Sequence, residues 1–348
     1  MRPAVGRGAS AEPSSALSRK VGALVVSLDF ELYWGVRDHR TLDQYRANLE
    51  GVRRAVPAML DMFAQYGVQA TWATVGFVFF DNREQLLSAL PERKPVYSDS
   101  RLSPYPELER IGTDESSDPF HYGASLLRLI AAHPGQEIGT HTFSHYCCLE
   151  PGQDVAAFRE DLAAARRAAA RYHLRMESLV FPRNQYSRPY LEICREMGIR
   201  AYRGNEASWL YRSSRGDEHT LGRRFVRKLE AYLPLSAHTC ASFEQVALES
   251  PCNIPSSRFL RPYSPLLAWL ESLRLRRIVS GMTHAARNGL IYHLWWHPEN
   301  FGTHTDKNLA FLERVLRAYA RLRAEYGMES LNMGQVAARV GEAAVRSG

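Results

Sequence analysis

Short apolar runs alternate with amphipathic stretches along most of the 348-residue chain. Runs of four to eight residues have the length of buried strands, and they cover 23–28, 68–75, 137–140, 178–181, 199–202 and 290–296. Longer stretches with helical spacing lie between and after them, at 42–66, 124–132, 154–172 and 306–325. Strands that alternate with helices form βα units. The sequence therefore predicts an α/β protein built around a parallel sheet or barrel.

Three segments depart from this alternation. Residues 1–20 are rich in Ala, Ser, Arg and Pro and lack the apolar core of a signal peptide, which predicts a disordered lead-in. Residues 92–121 are rich in Pro, Ser, Tyr and Asp, a composition typical of a long inserted loop with a functional role. Residues 212–219 form a second polar loop. Because no repeat or linker divides the remainder, we expect a single domain over residues 21–348.

Composition narrows the classes of partner. The formal net charge is +7, and only four of the 44 basic residues are lysine, so 40 are arginine. Arginine binds phosphate and carboxylate groups in bidentate fashion, although a general preference for Arg and Ala gives the same composition. Zinc-finger spacing, RNP-like aromatic motifs and lysine-rich arms are missing from the sequence, which excludes the common nucleic-acid-binding modules.

The apolar segments also bear on location. Residues 21–28 are too few to span a bilayer, which needs about 20 apolar residues. The five cysteines are odd in number and have no CxxC spacing, as expected of reduced thiols. We therefore predict a cytoplasmic protein without a transmembrane segment. One basic stretch, 274–277, adjoins an amphipathic run, 266–275, which could contact an anionic membrane or a lipid-linked substrate, or form a solvated helix face.

Two acidic residues, Asp29 and Glu31, follow the first predicted strand. Residues i and i+2 of a strand face the same side, so both carboxylates are expected to project together. The carboxyl ends of parallel strands carry the ligands and chemistry of α/β barrels and open sheets. Adjacent acids at the end of an apolar strand are costly unless a cation neutralises them. The pair therefore predicts a cation site in which one carboxylate binds and the other is free to act as a base.

Two histidines four residues apart, His141 and His145, lie in the segment THTFSH. On one face of a helical turn this spacing lets both imidazoles reach a single metal ion. Taken alone, such a pair is more often structural, and the zincin motif is excluded because Thr142 stands where its glutamate would be. With one carboxylate of the acidic pair, the histidines complete a His₂-carboxylate set that leaves positions open for water and substrate.

Two further histidines, His293 and His297, share one face of a predicted strand that Pro298 ends. A histidine at the carboxyl end of a strand, beside an aromatic wall, is well placed to act as a general acid. A buried, hydrogen-bonded histidine is the alternative, and it suits His293 better because His293 lies deeper in the strand. Both residues are candidates for the acid.

An arginine, Arg183, follows the predicted strand that ends at Phe181. At the rim of a barrel it could hold a catalytic aspartate ionised through a charge-assisted hydrogen bond. An ordinary surface arginine is the alternative, since the chain has 40 arginines.

In their order and spacing, the segments SLDFE, THTFSH, FPRN and HLWWHPEN resemble the motifs of the polysaccharide deacetylase family, the NodB-homology domains of carbohydrate esterase family 4. The likeness runs from about residue 21 to the final helix. The resemblance implies a distorted (β/α) barrel of seven or eight strands that holds one divalent metal ion, usually zinc. It also implies hydrolysis of an acetamido group on an amino sugar.

Carried over by position, the resemblance implies Asp29 as the general base, with Arg183 holding it in place. It implies His297 as the acid that protonates the departing amine, a role for which His293 competes. The implied metal ligands are Glu31, His141 and His145.

Three functional hypotheses follow. The first is an N-deacetylase that acts on a nucleotide-linked or lipid-linked amino sugar, a precursor in the assembly of a surface polysaccharide such as lipopolysaccharide. The second is an amidohydrolase on a small non-sugar amide, with residues 92–121 selecting the substrate. The third is a catalytically inactive module that binds metal and holds a sugar or a partner protein.

Overall fold

The computed structural model describes residues 20–206 and 239–347. The predicted lead-in, apart from Lys20, and the predicted polar loop 212–219 lie outside these residues. Within them, nine strands form one parallel sheet in the order β6-β5-β4-β3-β2-β1-β8-β7, with β9 beside β1. They are β1 (Ala23–Phe30), β2 (Ala70–Thr74), β3 (Gln136–Thr140), β4 (Ser178–Leu179), β5 (Ala201–Gly204), β6 (Cys252–Pro255), β7 (Arg258–Phe259), β8 (Ile291–Trp296) and β9 (Glu329–Leu331). Eight parallel strands curl into a half-barrel surrounded by helices, which confirms the predicted distorted (β/α) barrel.

Helices surround this sheet. The α-helices of the described residues are α1 (Leu42–Tyr66), α2 (Arg83–Ser88), α3 (Ala124–Ala132), α4 (Val155–Ala170), α5 (Arg188–Glu196), α6 (Phe243–Val246), α7 (Glu271–Asn288), α8 (Thr305–Tyr326) and α9 (Met333–Ser347). The longest, α1, begins with a capping box in which Thr41 and Gln44 each accept a hydrogen bond from the other's backbone N–H. It ends at Gly67, whose φ of 66° suits glycine. None of the described helices has an apolar stretch long enough to cross a bilayer.

The alternation of side chains along β1 determines where the polar site lies. The even-numbered residues from Leu24 to Phe30 belong to the main apolar core. The odd-numbered residues face the other side, where Ala23 and Val25 belong to a second apolar cluster together with residues of α9. They are followed on this face by Ser27 and Asp29, both buried. The inner face of β1 therefore changes from apolar to polar towards its carboxyl end.

The segment 92–121, predicted as an inserted loop, adjoins this polar end. It contains two short 3-10 helices, Ser100–Leu102 and Tyr105–Glu109. The turn that follows β1 holds it: Arg37 Nη1 donates to the carbonyl oxygen of Arg101 at 2.7 Å. The indole N–H of Trp34 donates to the carbonyl oxygen of His121 at 2.9 Å. The insert is thus fixed to the turn that leads away from the acidic pair.

Candidate metal centre and active site

Five side chains from three places in the sequence meet at the carboxyl ends of the strands: Asp29, Glu31, His141, His145 and His297. They form two overlapping groups that share Glu31. In one group it lies with His141 and His145, and in the other with Asp29 and His297. Within each group the candidate ligand atoms all lie within 4.8 Å of one another. The predicted convergence of the acidic pair with the histidine pair is what the structure shows.

The group of Glu31, His141 and His145 has the donor set of a metal site. Glu31 Oε1 lies 2.8 Å from His141 Nε2 and 3.4 Å from His145 Nε2. All three side chains are buried, and neither ring nitrogen of His141 has a hydrogen-bond partner. Unpartnered nitrogens in a buried imidazole are costly unless a ligand takes them. A carboxylate with two imidazoles suits a divalent ion such as zinc, so these residues fit the implied metal.

Electrostatics favour the same assignment. Burial by itself would raise the pKa of Glu31, but the neighbouring imidazoles of His297, His141 and His145 hold it well below its usual value. Burial lowers the pKa of His145 against the attraction of Glu31. An ionised carboxylate beside a neutral imidazole is the protonation state that metal binding requires.

The two histidines of THTFSH are brought together by a tight turn outside any helix, so the predicted helical turn is wrong. His141 directly follows β3, and its backbone N–H donates to the carbonyl oxygen of Thr74 at 2.9 Å. Thr142 and His145 adopt left-handed φ angles of 63° and 56°. The hydroxyl of Thr142 accepts a hydrogen bond from the backbone N–H of Tyr146 at 2.7 Å and so closes the turn. The ring centroids of the two histidines lie 5.3 Å apart.

A buried acid on α4, Asp161, stabilises this turn through hydrogen bonds. Its carboxylate accepts the backbone N–H of Phe143 at 2.7 Å and that of Ser144 at 3.1 Å, as well as the Ser144 hydroxyl. Burial raises the pKa of Asp161 to about 6, although the three donors act to lower it. The residue lies 17 positions beyond the turn, in a stretch whose sequence indicates only a helix.

Asp29 is paired with an arginine that the sequence analysis missed. Arg203, in β5, donates from Nη1 and Nη2 to the two carboxylate oxygens of Asp29, at 2.6 and 2.7 Å. Both side chains are buried, and the guanidinium carbon lies 4.0 Å from the centroid of the Trp295 ring. Burial would raise the pKa of Asp29, but Arg203, followed by His141 and His297, keeps it below its ordinary value. This bidentate pair holds Asp29 ionised and fixed in orientation.

The expectation that Arg183 holds Asp29 is therefore wrong. Arg183 Nη1 donates to Glu150 Oε1 at 3.2 Å, and its Nη2 donates to Asp38, so it forms ion pairs at the rim of the site. Its left-handed φ of 55° belongs to a short turn that begins at Pro182. The role passes to Arg203, which lies directly after the predicted strand 199–202. The one signal for Arg203 in the sequence is its position: it is a charged residue that continues a predicted buried strand.

His297 and His293, the two candidates for the acid, lie in different surroundings. The Nε2 atom of His297 is 3.8 Å from Asp29 Oδ2 and 3.7 Å from Glu31 Oε2, and its side chain is 27% exposed. The side-chain amide nitrogen of Asn300 lies 3.4 Å from His297 Nδ1.

His293 is fully buried in β8. Its Nδ1 donates to the carbonyl oxygen of Ile254 at 3.1 Å, which leaves Nε2 to accept from the Ser27 hydroxyl at 2.9 Å. Burial, together with the charge of Arg203, lowers its pKa to about 3. This neutral imidazole links β8 to β1 and β6 beneath Asp29.

A second residue outside the predicted site, Glu299, shapes the turn that carries Glu31. Its Oε1 accepts the backbone N–H groups of Glu31 and Leu32, at 3.0 and 2.6 Å. Leu32 has a left-handed φ of 51°, which is strained for a leucine. Gly35 leaves room for Glu31, because a Cβ atom at this position would lie 1.7 Å from Glu31 Oε2. The backbone, the acid and the glycine together aim the Glu31 carboxylate at the histidines.

The fold is a distorted α/β barrel of the NodB type, the barrel of polysaccharide deacetylases. A Mycobacterium smegmatis protein assigned as a polysaccharide deacetylase superposes with a TM-score of 0.54 and 13% identity, over 96% of this chain and 95% of its own. A Pseudomonas aeruginosa PAO1 protein with the same assignment gives 0.52 and 12%, over 92% and 91%. A GH57 branching enzyme from Thermococcus kodakaraensis gives 0.52 and 14%, over 90% and 70%. Searches by sequence match no family profile and no curated protein.

These similarities confirm the resemblance to polysaccharide deacetylases at the level of the fold. Because a GH57 branching enzyme has a similar fold, the fold alone does not choose the reaction. The reaction depends on the side chains of the site.

Proposed function

We propose that this protein is a metal-dependent hydrolase that removes the N-acetyl or another N-acyl group from an amino sugar. The observation that carries the proposal is the buried set of Glu31, His141 and His145 directly beside Asp29 and His297. It combines a three-ligand metal site with two further groups that can move protons. The barrel is one that polysaccharide deacetylases share, and the choice of this reaction rests on these side chains.

The proposed ligands of the metal are Glu31, His141 and His145, and zinc is the ion that this donor set suits best. When bound, such an ion lowers the pKa of water and polarises a carbonyl oxygen. Three protein ligands leave room for water and substrate, as in other catalytic zinc sites.

Asp29 is proposed as the general base. Because Arg203 occupies one side of both carboxylate oxygens, Asp29 is ionised and oriented, and its remaining lone pairs are free to take a proton from water. Its Oδ2 lies 3.8 Å from His297 Nε2, so the proposed base and the proposed acid are direct neighbours.

His297 is proposed as the acid that protonates the departing amine. A neutral amine leaves only after it gains a proton, which the imidazolium form of His297 would give from Nε2, the atom that lies 3.8 Å from Asp29 Oδ2 and 3.7 Å from Glu31 Oε2. Its side chain is partly exposed, so a substrate can reach it. We assign His293 to support beneath Asp29 because both of its nitrogens already have partners in the protein.

The same site could hydrolyse a small non-sugar amide, since it acts on a carbonyl and a leaving nitrogen. The insert 92–121 beside the site is the proposed determinant of substrate size. A swap of this insert that leaves the substrate preference unchanged would remove that assignment.

The test is to purify the protein, measure its bound metal by elemental analysis, and follow acetate release from N-acetylated amino sugars. We expect about one divalent ion per chain and acetate release that is abolished by chelation and restored by zinc. Glu31→Ala should lose the metal and the activity together. A folded protein that binds no metal and releases no acetate from any such sugar contradicts the proposal.

A further inference from the structure

An exposed apolar turn follows β7. Residues Pro265–Leu270 form a 3-10 helix of six apolar residues, none of which is buried. Leu266 is 86% exposed, Trp269 is 77% exposed, and Leu273 at the start of α7 is 37% exposed. Seven large hydrophobic side chains are exposed in the described residues, and three of them are these. Single exposed leucines are ordinary, whereas a cluster that contains a tryptophan marks an interaction surface. We call these three side chains the apolar tip.

The apolar tip lies at the same end of the barrel as the candidate active site. The ring of Phe259, the last residue of β7, has its centroid 6.0 Å from that of His297. The 3-10 helix begins six residues after Phe259, and α7 then leads back to the start of β8. In a parallel βα unit the helix begins at the carboxyl end of one strand and ends at the amino end of the next. The tip is therefore on the side of the molecule where the substrate enters.

The helices behind the tip are basic. On α7, Arg276 and Arg287 are exposed, whereas Arg274 and Arg277 are buried. α8 has five basic and three acidic residues. The exposed Arg276 lies one turn beyond Leu273 on α7, so the apolar and basic regions are continuous. Arg276 lines a groove of about 680 Å³ between α7 and α8, which also includes Arg321 and extends along α7 to Arg287 near the far end of that helix. This arrangement complements a surface with a negatively charged face and an apolar interior.

We propose that the apolar tip and this arginine groove bind an anionic lipid bilayer, and that the substrate is an N-acylated amino sugar carried on a membrane lipid phosphate. The second part rests on the proposed function. Tryptophan and leucine enter the interfacial layer of a bilayer, while arginines bind the lipid phosphates. A soluble nucleotide-linked sugar requires the arginines but has no use for an exposed Leu266 and Trp269. Bilayer contact places the metal centre near sugars displayed on the membrane surface.

The test is cosedimentation of the full chain with vesicles of phosphatidylcholine, with and without phosphatidylglycerol. We expect binding to the anionic vesicles that weakens with added salt, because exposed charges are screened. The double variant Leu266→Ser/Trp269→Ser should bind about tenfold more weakly, because it loses two interfacial side chains. Leu248→Ser is the matched control: Leu248 is 83% exposed and precedes the amino end of β6, away from the tip. It should bind like the wild type, and circular dichroism checks that all variants are folded.

Two results would overturn the proposal: a wild-type chain that does not bind anionic vesicles, or a double variant that binds them equally well. A double variant that instead changes the mass of the protein in solution shows that the tip covers a second copy, which also overturns it. Acetate release from a soluble N-acetyl amino sugar is measured on the same samples. The double variant should retain that activity. If the wild type itself releases no acetate, this counts against the proposed function, and the vesicle experiment still decides whether the apolar tip binds membranes.

Discussion

Asp29 and Arg203 form the strongest electrostatic contact at the base of the site, with two nearly parallel hydrogen bonds of 2.6 and 2.7 Å between fully buried groups. Such a pair contributes little net stability, but removal of one partner leaves a buried charge uncompensated. Its value lies in holding the carboxylate ionised and in one orientation while a proton is transferred.

Asp29→Asn is expected to retain metal and lose turnover. The amide cannot accept a proton, so the rate of acetate release should fall by about 10²- to 10⁴-fold. The uncompensated Arg203 should also lower the unfolding free energy by about 3–5 kcal/mol. Turnover and metal content are compared below the melting temperatures of both proteins. Unchanged acetate release in Asp29→Asn would exclude Asp29 as the base. If the protein is an inactive binding module, Asp29→Asn should bind metal and sugar as the wild type does.

Glu299 is expected to control metal affinity without touching the metal. Glu299→Ala leaves the N–H groups of Glu31 and Leu32 without an acceptor, at about 1–3 kcal/mol each, and frees the strained turn. Metal affinity should fall by about 10- to 100-fold, measured by competition with a chromophoric chelator. Glu299→Gln keeps the acceptor oxygen and should restore most of the affinity. Equal losses in both variants would show that the charge, and not the hydrogen bonds, is what the site needs.

At the scale of elements, the histidine turn after β3 depends on a helix that is remote from it in sequence. The spacing of His141 and His145 is the same as on a helix, but two left-handed residues and the carboxylate of Asp161 produce the convergence here. The rigidity of the pair is therefore supplied by α4.

Asp161→Asn is expected to loosen this turn. The Asp161 carboxylate has two acceptor oxygens for its three donors, whereas the amide has one acceptor oxygen and an NH₂ group that would face a donor. We expect metal affinity to fall by about tenfold and the unfolding free energy by about 1–3 kcal/mol. Glu160→Gln, on the same helix beside it, is the control. A wild-type affinity in Asp161→Asn would show that the turn is stable without the helix.

At the scale of the whole molecule, a half-buried acid at the opposite end of the barrel, Glu137, links strands to the last helix. Glu137 in β3 accepts hydrogen bonds from the hydroxyls of Thr71 and Ser178 at 2.6 Å and from the backbone N–H of Gly334 at 3.1 Å. Burial raises the pKa of Glu137 above its ordinary value. The contacts hold β2, β3, β4 and α9 together.

Glu137 is expected to make the stability of the whole barrel depend on pH. Folding raises the pKa of Glu137, so above pH 4.5 the unfolded chain binds fewer protons than the folded chain. The free energy of unfolding therefore falls as the pH rises from 4.5 to the raised pKa. Each unit of pKa difference corresponds to about 1.4 kcal/mol. Glu137→Gln can keep the three hydrogen bonds and should remove this fall, measured by denaturant unfolding across the interval. Parallel stability curves for both proteins would contradict the assignment.

Much of the fold could be predicted from local patterns. The predicted runs 23–28 and 290–296 correspond to β1 and β8, and the predicted helix 42–66 is the observed α1. β6 and β7 were missed because their sequences, CNIP and RF, are short and form no apolar run, and β6 ends in proline. Strands this short form through pairing with neighbours, which a local apolar period does not reveal.

The sequence by itself determined the class of barrel and the meeting of Asp29, Glu31 and the histidines, because parallel strands bring their carboxyl ends to one edge whatever their order. The tertiary structure decided which residues support them. Arg203 reaches Asp29 across 174 positions, and Glu299 reaches Glu31 across 268. Such pairs depend on strand register and on the curvature of the barrel, which no local spacing encodes. The physical reason is that the alternation of side chains is a property of the single strand, whereas the partner of a buried charge depends on the whole curved sheet.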